Sequence, residues 1–145
     1  MLKLTTLTLT VILAFAFAVT AQVSNVKNTG CPGASYATMT APKINASTTI
    51  TFPQQSSTSV PLLVFGWMSG RNLYFGQPIM CANQCGFYVA PIVSVSYAPG
   101  TKSTTILIPN DIRLWRSCYA IQTAALDSAK NCIQLDGAVS FCIGR

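Results

Sequence analysis

Three aspartates are the only carboxylate side chains in this chain of 145 residues, which contains no histidine and no glutamate. General acid–base catalysis needs positioned titratable groups, most often histidine or two carboxylates with separated pKa values. Asp127 and Asp136 are the two that could approach each other, but their neighbours are typical of turns, where aspartate bonds its own backbone. A serine or cysteine nucleophile would lack a histidine base. The composition therefore predicts a protein that is not an enzyme and uses no cofactor or metal.

Six cysteines form the second group of reactive side chains. A basic Lys3, an apolar run from Leu7 to Val19 and the small-residue site Val19-Thr20-Ala21 predict a signal peptide over residues 1–21. Every cysteine follows that segment, so an oxidising compartment and disulfide bonds are expected rather than metal ligation. We therefore predict a secreted, periplasmic or cell-surface protein in which all six are paired: Cys31, Cys81, Cys85, Cys118, Cys132 and Cys142.

The mature chain has the size of one domain. Cleavage after Ala21 leaves about 124 residues, enough for a single core. We assign residues 22–29 to a short extension and residues 30–145 to the domain. The mean hydropathy of +0.45 is inflated by the leader, and no later apolar run approaches the roughly 20 residues of a spanning helix. The mature chain is therefore predicted to have no transmembrane segment.

The net charge indicates no nucleic-acid partner. The chain carries +6, and the loss of Lys3 with the leader leaves about +5. The basic residues are scattered along the sequence instead of forming a stripe. They favour weak attraction to anionic polymers at a cell surface.

Short apolar segments separated by Gly, Pro, Asn and Ser clusters dominate the mature chain. Thr48–Phe52 alternates as a half-buried strand does, and the longer run Val60–Trp67 predicts a strand buried on both faces. This pattern predicts an all-β fold, a single antiparallel β-sandwich of immunoglobulin-like or jelly-roll-like type. Further strands are expected at Phe87–Val89, Ile92–Ala98, Thr104–Ile108, Tyr119–Ala125 and Val139–Ile143. The predicted core comprises Ile50, Phe52, Leu62, Val64, Ile106, Ile108, Ile121 and Phe141.

The last two predicted strands suggest one disulfide. A hairpin of Tyr119–Leu126 with Val139–Ile143, centred near Lys130, places Cys118 opposite Cys142. A cross-strand bridge between these two cysteines fits that register.

Several segments together resemble a family of uncharacterised secreted bacterial β-sandwich modules. The distinctive stretch runs from Ile108 to Gln122 and comprises Ile108-Pro109-Asn110-Asp111, Leu114 and Tyr119-Ala120-x-Gln122. Asp127, the closing Ile143-Gly144, Gly30-Cys31-Pro32-Gly33 and Cys85–Pro91 are also similar. Ile112 stands where the family usually has proline, and Arg116 where it usually has glycine. The resemblance implies a sandwich fold and an extracytoplasmic setting, but no activity and no catalytic residue.

The same resemblance implies a second disulfide, Cys31–Cys85, because both positions match cysteines of the family. That pairing leaves Cys81 with Cys132. The alternative joins Cys118 to Cys132 and Cys81 to Cys142.

One segment is a candidate binding site. Trp67, Arg71, Tyr74 and Phe75 lie in what reads as a loop, and aromatic faces with a polar rim suit contact with sugars or proteins. Packing of Leu73 and Phe75 under the sandwich is the alternative. We predict a secreted, non-catalytic structural or adhesive protein of a cell surface or matrix. The second hypothesis is an extracellular module that binds carbohydrate or protein through this segment, its partner being a cell-surface polysaccharide or another extracellular protein.

Overall fold

The computed structural model describes residues 23–25, 34–53, 57–73, 80–81 and 86–145. The predicted leader lies outside these residues, as do Cys31, Cys85, Tyr74 and Phe75. The proposed Cys31–Cys85 bond therefore stays a prediction.

The described residues form two antiparallel sheets, as the strand pattern predicts. The larger sheet has five strands in the order β1-β8-β7-β4-β5, and the smaller has three in the order β2-β3-β6. The all-β, disulfide-stabilised sandwich is therefore confirmed. The strands are β1 Val23–Asn25, β2 Thr38–Met39, β3 Ser47–Thr51, β4 Val60–Leu73, β5 Phe87–Ser96, β6 Ser103–Leu107, β7 Cys118–Asp127 and β8 Cys132–Cys142.

The strand bounds differ from the sequence expectation in several places. The segments Phe87–Val89 and Ile92–Ala98 belong largely to one strand, β5, and β8 begins at Cys132 instead of Val139. β1 lies within residues 22–29 and pairs with β8, Val23 opposite Phe141. The first strand of the larger sheet thus comes from the segment assigned to the extension.

The core lies between the two sheets. Apolar side chains from β3 and β6 pack on those of β4, β7 and β8, and they include Ile50, Leu63, Ile108, Ile121, Val139 and Phe141. Of the eight predicted core residues, six are buried, while Leu62 and Ile106 are partly buried. The expectation that Val60–Trp67 is buried on both faces holds for Leu63 and Val64, but it is wrong for Trp67, which is exposed.

The beginning of β5 covers part of the outer face of the larger sheet. There Val89 packs with Val64, Ala120 and Ala138, and all four are buried. The pairing of β4 with β5 shifts register between Phe65 and Gly66. A Cβ atom on Gly66 would collide with the backbone carbonyl of Ala90, so glycine permits the close crossing of the two strands.

The described cysteines form two disulfides, and both match the sequence prediction. Cys118 lies opposite Cys142 in the β7–β8 register and is bonded to it, with 4.0 Å between the Cα atoms. Cys81 is bonded to Cys132, with 4.9 Å between the Cα atoms. The alternative connectivity is therefore wrong, and no described cysteine is free.

We expect Gly66→Ala to lower the free energy of unfolding by about 1–3 kcal/mol, because the new methyl group meets backbone that cannot rotate away. Urea unfolding of the oxidised protein measures the change. Ser94→Ala, at an exposed position of β5, is the matched control and should stay within about 0.5 kcal/mol of the parent. Equal stability of the two variants would show that the close crossing does not constrain the fold.

Candidate functional site

An apolar groove opens between the sheets on the side where β5 and β6 form the sheet edges. Its volume is about 590 Å³. The core forms its floor, β5 and β6 form its two walls, and the lining includes Leu63, Phe65, Trp67, Val93, Val95 and Leu107. This groove is the candidate site.

The groove exists because the two sheets differ in width. Val93 pairs with Phe65, and Val95 pairs with Leu63, so these side chains share the face that looks toward the smaller sheet. The three strands of the smaller sheet cover β4, β7 and β8 instead. Val93 and Val95 therefore remain 48% and 42% exposed.

The backbone along the open edge of β6 has unused hydrogen-bonding capacity. Phe52 N donates to Lys102 O at 2.9 Å, and Ile108 N donates to Ala46 O at 3.0 Å. These bonds fix the ladder, in which even-numbered residues of β6 bond to β3. Ser103, Thr105 and Leu107 consequently direct their N–H and C=O groups away from β3, toward the open side.

Neither β5 nor β6, the two edge strands beside the groove, has a charged side chain between its first and last residue. The sequence has no Asp, Glu, Lys or Arg between Arg71 and Lys102, and none within Ser103–Leu107. Proteins usually protect exposed sheet edges from pairing with inward charges, prolines or bulges. Here Pro91 and the bulge beside Gly66 interrupt only the middle of β5. The second half of β5 and all of β6 lack such protection.

The predicted ligand residues are only partly brought together. Trp67 and Arg71 belong to β4, so the expectation of a loop across Trp67–Leu73 is wrong; pairing with β5, as of Leu73 with Phe87, extends the strand through this polar stretch. Trp67 is 58% exposed and lines the groove. Arg71 is exposed but does not line it, and Tyr74 and Phe75 lie outside the described residues.

Val93, Val95 and Leu107 are site residues that the sequence did not single out. Their segments are recognisable as strands, but a strand of valines in a sandwich ordinarily packs into the core. The long uncharged stretch before Lys102 is the one signal in the sequence that could have drawn attention to β5. Their exposure depends on the width of the opposite sheet, which no local pattern reports.

A buried polar network lies on the outer side of the larger sheet. Gln122 is fully buried, and its side chain bonds backbone. Its Oε1 accepts from Tyr88 N at 2.9 Å, and its Nε2 donates to Gly86 O at 3.1 Å and Asp136 O at 2.9 Å. One amide side chain thereby joins β5 to β7 and β8.

Asp136 does not lie in a turn, so that expectation is wrong. It lies inside β8, is buried, and accepts a hydrogen bond from Thr123 Oγ1 at 2.7 Å. Burial raises its pKa to about 6, although the Thr123 hydroxyl acts in the opposite direction.

Asp127 does begin a turn, as expected, with its Oδ1 accepting from the backbone N–H groups of Ala129 and Lys130. It lies opposite Cys132, four positions along β8 from Asp136. That separation is about 13 Å, which is too far for the two carboxylates to act on one atom.

All three carboxylates are engaged within the protein. Asp111 pairs with Arg113 at 2.7 Å, Asp127 pairs with Lys130 at 3.7 Å, and Asp136 bonds Thr123. The remaining cations in the described part of the chain are exposed and have no carboxylate partner: Lys43, Arg71, Lys102, Arg116 and Arg145. The guanidinium groups of Arg116 and Arg145 lie 4.5 and 5.4 Å from the ring centre of Trp115. The unpaired side-chain charge on the described surface is therefore entirely positive.

The chain matches no known family model, no curated protein and no solved structure. Among the residues that the structure describes, no helix is long and apolar enough to cross a membrane. Within the same residues, no three His, Cys, Asp or Glu side chains come together as a metal site would require.

We expect the free energy of unfolding to fall by up to about 3 kcal/mol as the pH rises from about 4 to about 6. The folded protein keeps the proton of Asp136 in this range, since its pKa is about 6 against 3.8 ordinarily, whereas the unfolded chain releases it. Asp111 titrates below this range because hydrogen bonds from Arg113 lower its pKa.

Denaturant unfolding at a series of pH values measures this dependence. Asp136→Asn should remove it, while the exposed-turn control Asp127→Asn should retain it. A parent protein whose stability is constant or increases between pH 4 and 6 would contradict the assignment.

Proposed function

We propose that this protein is a secreted, non-catalytic structural or adhesive module of a cell surface or matrix, which attaches to another extracellular protein through the groove. The observation that carries the proposal is the groove itself. Large exposed apolar patches are rare on soluble monomers and mark interaction sites. Here Trp67, Val93, Val95 and Leu107 are 58%, 48%, 42% and 70% exposed.

The character of the lining favours a protein over a polysaccharide as the partner. Sugar sites combine an aromatic face with several hydrogen-bonding side chains. The groove has Trp67, but among the described residues that line it the polar side-chain groups are the indole N–H and the hydroxyls of Tyr97 and Tyr119. Apolar side chains of another protein fit such a lining better. Carbohydrate binding at Trp67 is therefore the less favoured function.

The surrounding structure suits a durable scaffold in an oxidising compartment. One disulfide joins the ends of β7 and β8, and the other ties Cys81 to the start of β8. Each bond is worth about 2–4 kcal/mol through restriction of the unfolded chain. Disulfides of this kind support secretion by the predicted signal peptide, and membership of the uncharacterised secreted family is part of the same proposal.

We expect Trp67→Ala to weaken attachment of the purified, oxidised protein to the surface of the producing cells by at least about tenfold. Arg71→Ala, four residues further along β4 and outside the groove, is the matched control and should keep attachment within about twofold. Both variants should melt within a few degrees of the parent, because exposed side chains contribute little to stability.

Treatment of the cells before binding identifies the class of partner. Protease treatment should abolish attachment, while periodate oxidation of surface glycans should leave it unchanged. Attachment that survives Trp67→Ala, or that is lost only after periodate, would overturn the proposed function. So would hydrolytic turnover of a surface polymer that disappears in Asp127→Asn.

A further inference from the structure

We infer that the groove accepts one extended apolar segment of a partner protein, with acidic residues at its ends, as a fourth strand of the smaller sheet beside β6. This inference rests on the proposed function and names the chemistry of the partner. It follows from three features of the open side: free backbone groups on β6, uncovered valines on β5, and cations without a carboxylate partner near both ends.

The backbone of β6 can bind such a strand directly. Ser103, Thr105 and Leu107 direct N–H and C=O groups toward the position of the next strand, about 4.8 Å away. Addition of a strand to an exposed edge gains affinity from main-chain hydrogen bonds and specificity from alternate side chains. β6 has five residues, so the bound core needs about five to seven residues.

The uncovered face of β5 accounts for the apolar side chains of the segment. A strand beside β6 would lie across the groove from β5, and alternate side chains would point to Val93 and Val95. Packed sheets lie about 10 Å apart, which leaves room for branched apolar side chains between them. With that strand in place, four strands would cover the five-stranded sheet and the two valines would be buried.

Charge distinguishes an acidic partner from a second copy of this chain. Lys102 immediately precedes β6. At the other end, the backbone of Arg116 lies beside the groove, because its N–H donates to Ile143 O at 2.9 Å and Ile143 lines the groove; its guanidinium lies over the ring of Trp115, outside the lining. Neither cation has a carboxylate partner, because all three aspartates are engaged elsewhere. A second copy would bring only the same surplus of positive charge, whereas acidic flanks would pair with it.

A synthetic peptide tests the inference with the intact, oxidised mature protein. The probe has a core of about seven residues that alternates threonine with valine or isoleucine, and paired aspartates at each end. One control replaces the aspartates with lysines, and another keeps the composition but breaks the alternation. In the variant Trp115→Phe, Trp67 is the only tryptophan, so its fluorescence reports binding in the groove.

Two protein variants separate the groove from general charge effects. Val95→Lys places a cation in the groove, and Ser96→Lys places the same charge on the opposite face of β5 one residue later. Two further peptides carry N-methyl groups on alternate backbone nitrogens. A strand that pairs with β6 tolerates methylation on its outward nitrogens but not on those that face β6.

We expect the aspartate-flanked peptide to bind with a blue shift of Trp67 fluorescence and to weaken as salt increases. Val95→Lys should reduce its affinity by more than about tenfold, Ser96→Lys should leave it nearly unchanged, and only one N-methylated peptide should retain binding.

Equal binding of the lysine-flanked or scrambled peptide would overturn the inference, as would equal loss or equal retention with both N-methylated peptides. A stable dimer with Val93 and Val95 buried would assign the groove to a second copy instead. If no peptide binds while Trp67→Ala still abolishes cell attachment, the strand is wrong and the proposed function stands. If attachment is also independent of Trp67, both are wrong.

Discussion

The three-stranded sheet cannot cover the inner face of the five-stranded sheet, and the rest of the molecule follows from that mismatch. Burial of apolar area is the main favourable term in folding. The narrow sheet achieves it over β4, β7 and β8, where Ile121, Val139 and Phe141 are essentially inaccessible to solvent. It leaves β5 uncovered. The groove, the exposed valines and the free edge of β6 all result from this difference in width between the two sheets.

Contacts within the chain hold β5 in place, so it cannot move under the smaller sheet. The Gln122 side chain bonds backbone at Gly86 and Tyr88, holding the start of β5 on the outer side of the sheet. The close approach of Gly66 to Ala90 fixes where the strand crosses. A buried amide left without these partners would cost about 1–3 kcal/mol. The second half of β5 is therefore held at the edge of the larger sheet.

The class of fold could be predicted from the sequence because strands and turns are marked by local residue patterns. Alternation at Thr48–Phe52 and the turn before Tyr119 identify strands, and the register of one hairpin pairs Cys118 with Cys142. The site was harder to predict from the sequence, because the exposure of Val93 depends on which strands lie opposite it. Asp136 was misassigned for a related reason: Asp-Gly is typical of a turn, but Gly137 lies in β8, where the ring of Tyr36 occupies the position of its missing Cβ atom.

Residue-resolved amide hydrogen exchange on the free, oxidised protein tests the central claim most directly, because it shows whether the open edge of β6 is unpaired. We expect the exchange rates to alternate along β6. The amides of Thr104 and Ile106, bonded to β3, should exchange slowly, while those of Ser103, Thr105 and Leu107 should exchange rapidly. The same pattern should hold in β5, with Val95 protected and Ser94 and Ser96 unprotected. Uniform protection across Ser103–Leu107 in a monomer would mean that another strand already occupies the open side, and would contradict the account.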